Sequence, residues 1–124
     1  GNLTFNPVSA LSHATLEVIC TFEPTREFAA GMMAEAQSVG EKLGVQFKIS
    51  IDKRIAGAQS VGAHKTSMLQ DIEAGKALEL EALLGSVIEL AQVVGGNTPV
   101  LKAVYALTRM LERQVLAKGH GLTL

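Results

Sequence analysis

The 124-residue sequence has no tryptophan, one tyrosine and four phenylalanines, so aromatics are only 4% of a chain that is 48% apolar. Its core must be built from Leu, Val, Ile, Ala and Met, a palette that suits helices packed closely on one another. A chain of this length supports one domain with a real core and not comfortably two. Cysteine occurs once, at Cys20, which excludes an internal disulfide. Between Val18, Ile19 and Phe22 that thiol reads as a small buried hydrophobe. Neither sign of charge dominates: 11 Lys plus Arg against 12 Asp plus Glu give a formal net charge of −1. That balance lacks the footprint of a nucleic-acid binder, and no basic run suggests a membrane surface. No apolar run approaches the ~18 residues of a membrane span, and the first residues lack the pattern of a signal peptide. The expected location is the cytoplasm, with neither nucleic acid nor membrane as partner.

Cofactor and metal signatures are equally scarce. There is no G-x-G-x-x-G, no Walker pattern and no G-x-S-x-G elbow. His13, His64 and His120 have no metal-ligand spacing, so no metal site is expected. Only three prolines occur, at 7, 24 and 99, and they punctuate the chain.

What is present is helical periodicity. A first helix is expected from about Leu3 to Thr21, with Pro7 in its opening turns, where a missing N–H costs least. A second begins near Pro24. Phe28, Met32, Ala36, Val39 and Leu43 form one face of it, and Gly44 stands where a left-handed cap belongs. Val45 to Ile51 alternates apolar and polar residues. A lone short strand has no evident partner, so the stretch is read as an extended connection. A third helix is expected from Asp52 to about Gly62, followed by a break over Ala63 to Thr66. Ser67 to Gln70 has capping-box spacing, with Ser67 as N-cap of a short helix that Gly75 ends or bends. Leu80, Leu83, Leu84, Val87, Ile88, Ala91 and Val94 repeat at helical spacing until Gly95-Gly96. Thr98 as N-cap and Pro99 open the last helix, whose inner face is Leu101, Val104, Thr108, Leu111 and Val115. The tail from Lys118 to Leu124 is expected to fray.

Few side chains suggest chemistry on local grounds. Asn2 and Asn6 share one helical face, although either could simply cap a helix start. Ser67 at a helix N-terminus sits beside unpaired N–H groups and a partial positive charge, a setting that suits a carboxylate. Glu79 precedes the strong apolar face and reads locally as a solvated first-turn acid. Asp71 and Glu73 read the same way.

Together these residues form a pattern. Thr66-Ser67-Met68-Leu69-Gln70-Asp71-Ile72, followed by Glu79 and an apolar helix, resembles the C-terminal domain of the ketopantoate reductase (2-dehydropantoate 2-reductase) family. The Asn97-Thr98-Pro99 turn and the opening Asn2-x-x-x-Asn6-Pro7-x-Ser9-Ala10-Leu11 fit the same pattern, in order, over essentially the whole chain. The resemblance implies an all-α multi-helix bundle of the 6-phosphogluconate dehydrogenase C-terminal-like kind over residues 1–124. It further implies an N-terminal Rossmann domain holding NADPH, which this chain lacks. Hydride would pass to the ketone carbon of 2-dehydropantoate, giving pantoate for pantothenate synthesis, with a lysine as general acid.

Counting one helical turn back from Asn2 places that lysine just before Gly1. The chain itself would then hold no catalytic residue, and would be inactive and bind no cofactor alone. Asn2 would support the lysine, Asn6 would bond a substrate oxygen, and Ser67 would bind the carboxylate. Glu79 would meet both substrate and cofactor. Where many members have an asparagine three residues before the serine, this chain has His64, which opens the choice of 2-keto acid. The partners implied are a small 2-keto acid, the Rossmann domain and a second copy of the chain. The competing reading is a non-catalytic helical dimerisation or interaction module.

Overall fold

A computed structural model describes residues 2–124. It contains α1 (Asn2–Ser12), α2 (Leu16–Thr21), α3 (Glu23–Lys42), α4 (Ile51–Ser60), α5 (Ser67–Ala74), a π-helical turn (Glu81–Gly85), α6 (Ser86–Val94) and α7 (Pro99–Lys118). No strand occurs among the described residues, and residues 45–50 form an extended connection. No helix among them is long and apolar enough to cross a membrane.

α3 is the central post. It packs on α1, α2, α4, α6 and α7, while α1 also lies on α5 and α7. Phe5, Ile19, Met32, Ile55, Ile72, Leu80, Leu84, Leu101 and Val104 fill the space between them. Apart from Phe5 these are the aliphatic and thioether side chains that the composition demands, each stabilising by roughly 1.5–3 kcal/mol when fully buried. Met32 and Val39 of the α3 face are buried, whereas Phe28 and Leu43 at its ends are exposed. Cys20 is buried, and desolvation pushes its thiol above the ordinary value, partly offset by Arg26.

Five local expectations are corrected. The first helix is two helices, because the chain turns at His13, which adopts a left-handed φ of 62°. The break has a use. The N–H groups of Leu16 and Glu17, free at the start of α2, donate to the carbonyls of His64 (3.1 Å) and Gly62 (3.1 Å). That pairing fixes the loop ahead of α5.

At α5 the N-cap is Thr66, not Ser67. Thr66 Oγ1 accepts from the Leu69 N–H at 3.2 Å, and Gln70 donates its side-chain amide to the Lys65 carbonyl instead of closing a capping box.

The helix expected from Leu80 opens with a π-helical turn. The Ser86 N–H reaches the Glu81 carbonyl five residues back, and Ser86 Oγ donates to the same oxygen at 2.9 Å.

Thr98 holds the N-cap position of α7 but makes no cap bond. The cap comes from another helix: the Glu35 carboxylate accepts the Val100 and Leu101 N–H groups, each at 2.9 Å.

The tail does not fray at its start. Leu122 N–H donates to the Ile72 carbonyl at 3.0 Å, and Gly121 lies where any Cβ would strike the Glu73 carbonyl.

Candidate functional site

α1 presents Asn2 and Asn6 one turn apart, toward the start of α5. A buried polar seam ties the two helices. Ser9 Oγ donates to the Asn6 carbonyl at 3.0 Å, which leaves the Thr66 hydroxyl to donate to Ser9 Oγ in their mutual hydrogen bond. Thr66 in turn caps Leu69. Ser9 and Thr66 are both buried, so this chain of hydroxyls replaces water that cannot enter.

The seam sets the register between Asn6, buried at 7% exposure, and the exposed Ser67. Asn6 Nδ2 donates to Ser67 Oγ at 3.4 Å, leaving the Ser67 proton available to the cleft. Because Thr66 does the capping, Ser67 is the first helical residue, and its N–H belongs to the unpaired first turn.

Asn2, Asn6, His64 and Ser67 line one cleft of about 550 Å³, a size typical of small-molecule sites. Phe5, Leu16 and Met33 supply apolar wall, and α4 closes the far side with Arg54, Gly57 and Ala58. Glu79 is outside this cleft. It lines an adjoining hollow of about 260 Å³ with Asp71, Met68 and Leu83, and Asn6 and Ser67 form the wall shared by the two. Four of the five residues named from sequence therefore line one cleft, and the fifth lies across that wall. Among the described residues no group of three His, Cys, Asp or Glu side chains converges as a metal site would require. The lysine expected ahead of Gly1 lies outside the described residues.

Four residues escaped the sequence reading. Arg54 stands in Asp52-Lys53-Arg54, a charged run that locally suggests only a solvated face. Asp71, read as solvated, is half-buried and faces the Glu79 hollow. Glu73 proves to be paired with Lys65 at 2.7 Å.

Glu112 is the fourth. It is buried in α7, and its carboxylate accepts the Leu78 N–H at 2.7 Å and an Arg109 N–H at 3.3 Å. With Leu78 and Leu80 buried on either side of Glu79, that bond holds the Glu79 backbone in place. A signal for it existed: Leu101, Val104, Thr108, Glu112 and Val115 follow at steps of three, four, four and three, so Glu112 falls on the inner face.

The family described as ketopantoate reductase PanE/ApbA, C terminal, matches residues 1–112. The chain belongs to this family. A 2-dehydropantoate 2-reductase of Mesorhizobium japonicum is 54% identical over 111 residues, 90% of this chain and 34% of the relative. The crystal structure of 2-dehydropantoate 2-reductase from Methylococcus capsulatus superposes with a TM-score of 0.81 at 34% identity, covering 92% of this chain and 40% of that one. D-mandelate dehydrogenase, solved with NADH and anilino(oxo)acetate, superposes with a TM-score of 0.82 at 19% identity (92% of this chain, 38% of that one), a likeness of fold alone. The chain spans about a third of the length of the curated relatives it matches. This family match does not favour the reading as a stand-alone helical interaction module.

Proposed function

We propose that this domain forms the substrate side of a cytoplasmic NADPH-dependent reductase that converts 2-dehydropantoate, or a related 2-keto acid, to the 2-hydroxy acid. The cofactor side is an N-terminal Rossmann domain. The supporting observation is the convergence of Asn2, Asn6, His64 and Ser67 on one cleft, with Asn6 already bonded to Ser67.

In this reading Ser67 and the first-turn N–H groups of α5 bind the substrate carboxylate, where the helix dipole favours an anion. Asn6 keeps donor and acceptor capacity for a ketone or hydroxyl oxygen. Asn2, one turn nearer the N-terminus, orients the general-acid lysine expected just before Gly1. Glu79 accepts hydrogen bonds from hydroxyls at the edge of the cleft.

NADPH supplies the hydride when bound. Of its parts, only hydroxyl-bearing ones suit this rim, because Asp71 and Glu79 set two carboxylates in one hollow with no cation lining it. Its phosphates belong to the Rossmann domain.

Comparing the full-length protein with the isolated chain tests the reading. The full-length protein oxidises NADPH when given a 2-keto acid, and the isolated chain does not. Ser67→Ala in the full-length protein raises the KM for keto acid by about tenfold or more, the scale of one lost charge-assisted hydrogen bond. A folded full-length protein that turned over no 2-keto acid would sink the proposal.

A further inference from the structure

Arg54 is the one cation lining the main cleft, and no carboxylate neutralises it. Among the described residues, no carboxylate lies within ion-pair distance of it. Its guanidinium lies over the Phe47 ring, 5.4 Å from the centroid, and Nη2 donates to the neutral Gln37 Oε1. Nε is buried and has no acceptor. A half-buried guanidinium that lines a cleft without a counter-ion favours an anion there, since the low-dielectric wall leaves its charge poorly screened.

Position narrows the choice of anion. Ser67 and Asn6 stand at the wall shared with the Glu79 hollow, and Arg54 stands where the cleft meets a neighbouring depression that contains Phe47 and Gln37. Arg54 and Glu79 therefore line different compartments, and Ser67 belongs to both the cleft that Arg54 lines and the hollow that Glu79 lines. Leu16, Ala58 and Val61 supply further apolar wall to the cleft that Ser67 and Arg54 share, and Gly57 leaves a lobe of it open because nothing lies within 4 Å of where its Cβ would be.

We propose that Arg54 is a specificity-determining residue that binds a second carboxylate, at the far end of the substrate's side chain, so that the cleft takes 2-keto dicarboxylic acids. This rests on the keto-acid reading above, in which Ser67 holds the first carboxylate.

The test is steady-state kinetics of the full-length protein with 2-oxoadipate and 2-oxoisovalerate, which share the keto-acid head and differ in the distal carboxylate. Wild type is expected to have the higher kcat/KM for 2-oxoadipate. Arg54→Gln should raise its KM about tenfold or more with kcat little changed, and leave the KM values for 2-oxoisovalerate and NADPH within about twofold. Arg54→Lys should recover part of the loss.

An equal loss on both keto acids would put Arg54 on the shared carboxylate. A raised KM for NADPH would put it on a cofactor phosphate, and no change would make it structural. Each of these overturns the proposal, as does a wild type that prefers 2-oxoisovalerate. Should Arg54→Gln fail to fold, Gly57→Leu fills the same lobe from an open position. It should depress kcat/KM for 2-oxoadipate far more than for pyruvate, and equal effects would again overturn the proposal. A wild type that reduces no 2-keto acid at all refutes the keto-acid reading itself, a result distinguishable from all of these.

Discussion

At the start of α5 two adjacent hydroxyl residues have separate duties. Thr66 Oγ1 takes the Leu69 N–H and is buried, whereas Ser67 Oγ is exposed and touches only Asn6. Their substitutions should therefore separate stability from binding. Thr66→Ala is expected to cost about 1 kcal/mol or somewhat more, because it removes a cap and strands Ser9. Ser67→Ala should fall within about 0.5 kcal/mol of wild type, as surface substitutions generally do. Urea unfolding monitored by circular dichroism measures both, and the reverse ranking would restore Ser67 as the cap. The sequence could not decide this, because Thr66 and Ser67 are both good capping residues and only the packing of α1 shows which hydroxyl turns inward. His13 carries a similar lesson. Its left-handed φ is unfavourable for a residue with a Cβ. His13→Ile should destabilise by about 1–2 kcal/mol and His13→Gly should not, measured in the same assay.

Among elements, α7 owes its beginning to α3. Pro99 fixes the first turn, but the free N–H groups of Val100 and Leu101 are satisfied by Glu35 from the central helix. Glu35→Ala should cost about 2 kcal/mol, the scale of hydrogen bonds to a charged group, and Glu35→Gln about half of that because one acceptor oxygen remains. Thermal or urea denaturation checks it, and equal stability of the three proteins would show that water caps α7 adequately. The locations of α3, α4, α5 and α7 were legible from periodicity, proline and the glycine caps, to within a residue or two. The break at His13 and the π-helical turn at Glu81–Gly85 were not, because apolar spacing continues through both. Each bend is decided by partners distant in sequence: the carbonyls of Gly62 and His64 for the first, and packing of the turn on α1 and α7 for the second.

On the scale of the whole molecule, the chain leaves apolar side chains uncovered. Val93 is 78% exposed on α6, and Leu107 and Met110 are 61% and 57% exposed on α7. Val18, Phe22 and Val61 are uncovered on α2 and its surroundings. Exposure of this kind favours association with a further domain or a second copy. The isolated chain is expected to self-associate, with a weight-average mass in light scattering that rises with concentration. A clean monomer at high concentration would contradict this.

The sequence by itself determined an all-helical domain, its family, and the identities of Asn2, Asn6, His64, Ser67 and Glu79 as the residues to watch. Those conclusions rest on period, punctuation and motif, which are local properties of the chain. Tertiary structure alone decided that four of the five share one cleft while Glu79 lies across a wall, and that Thr66 rather than Ser67 caps the start of α5. It also decided that Glu112 steadies the Glu79 segment and that Arg54 faces the cleft without a counter-ion. The physical reason is common to all of these. A charge or hydroxyl looks the same in sequence whether it meets water or a buried N–H, and only the packing of distant helices determines which it meets.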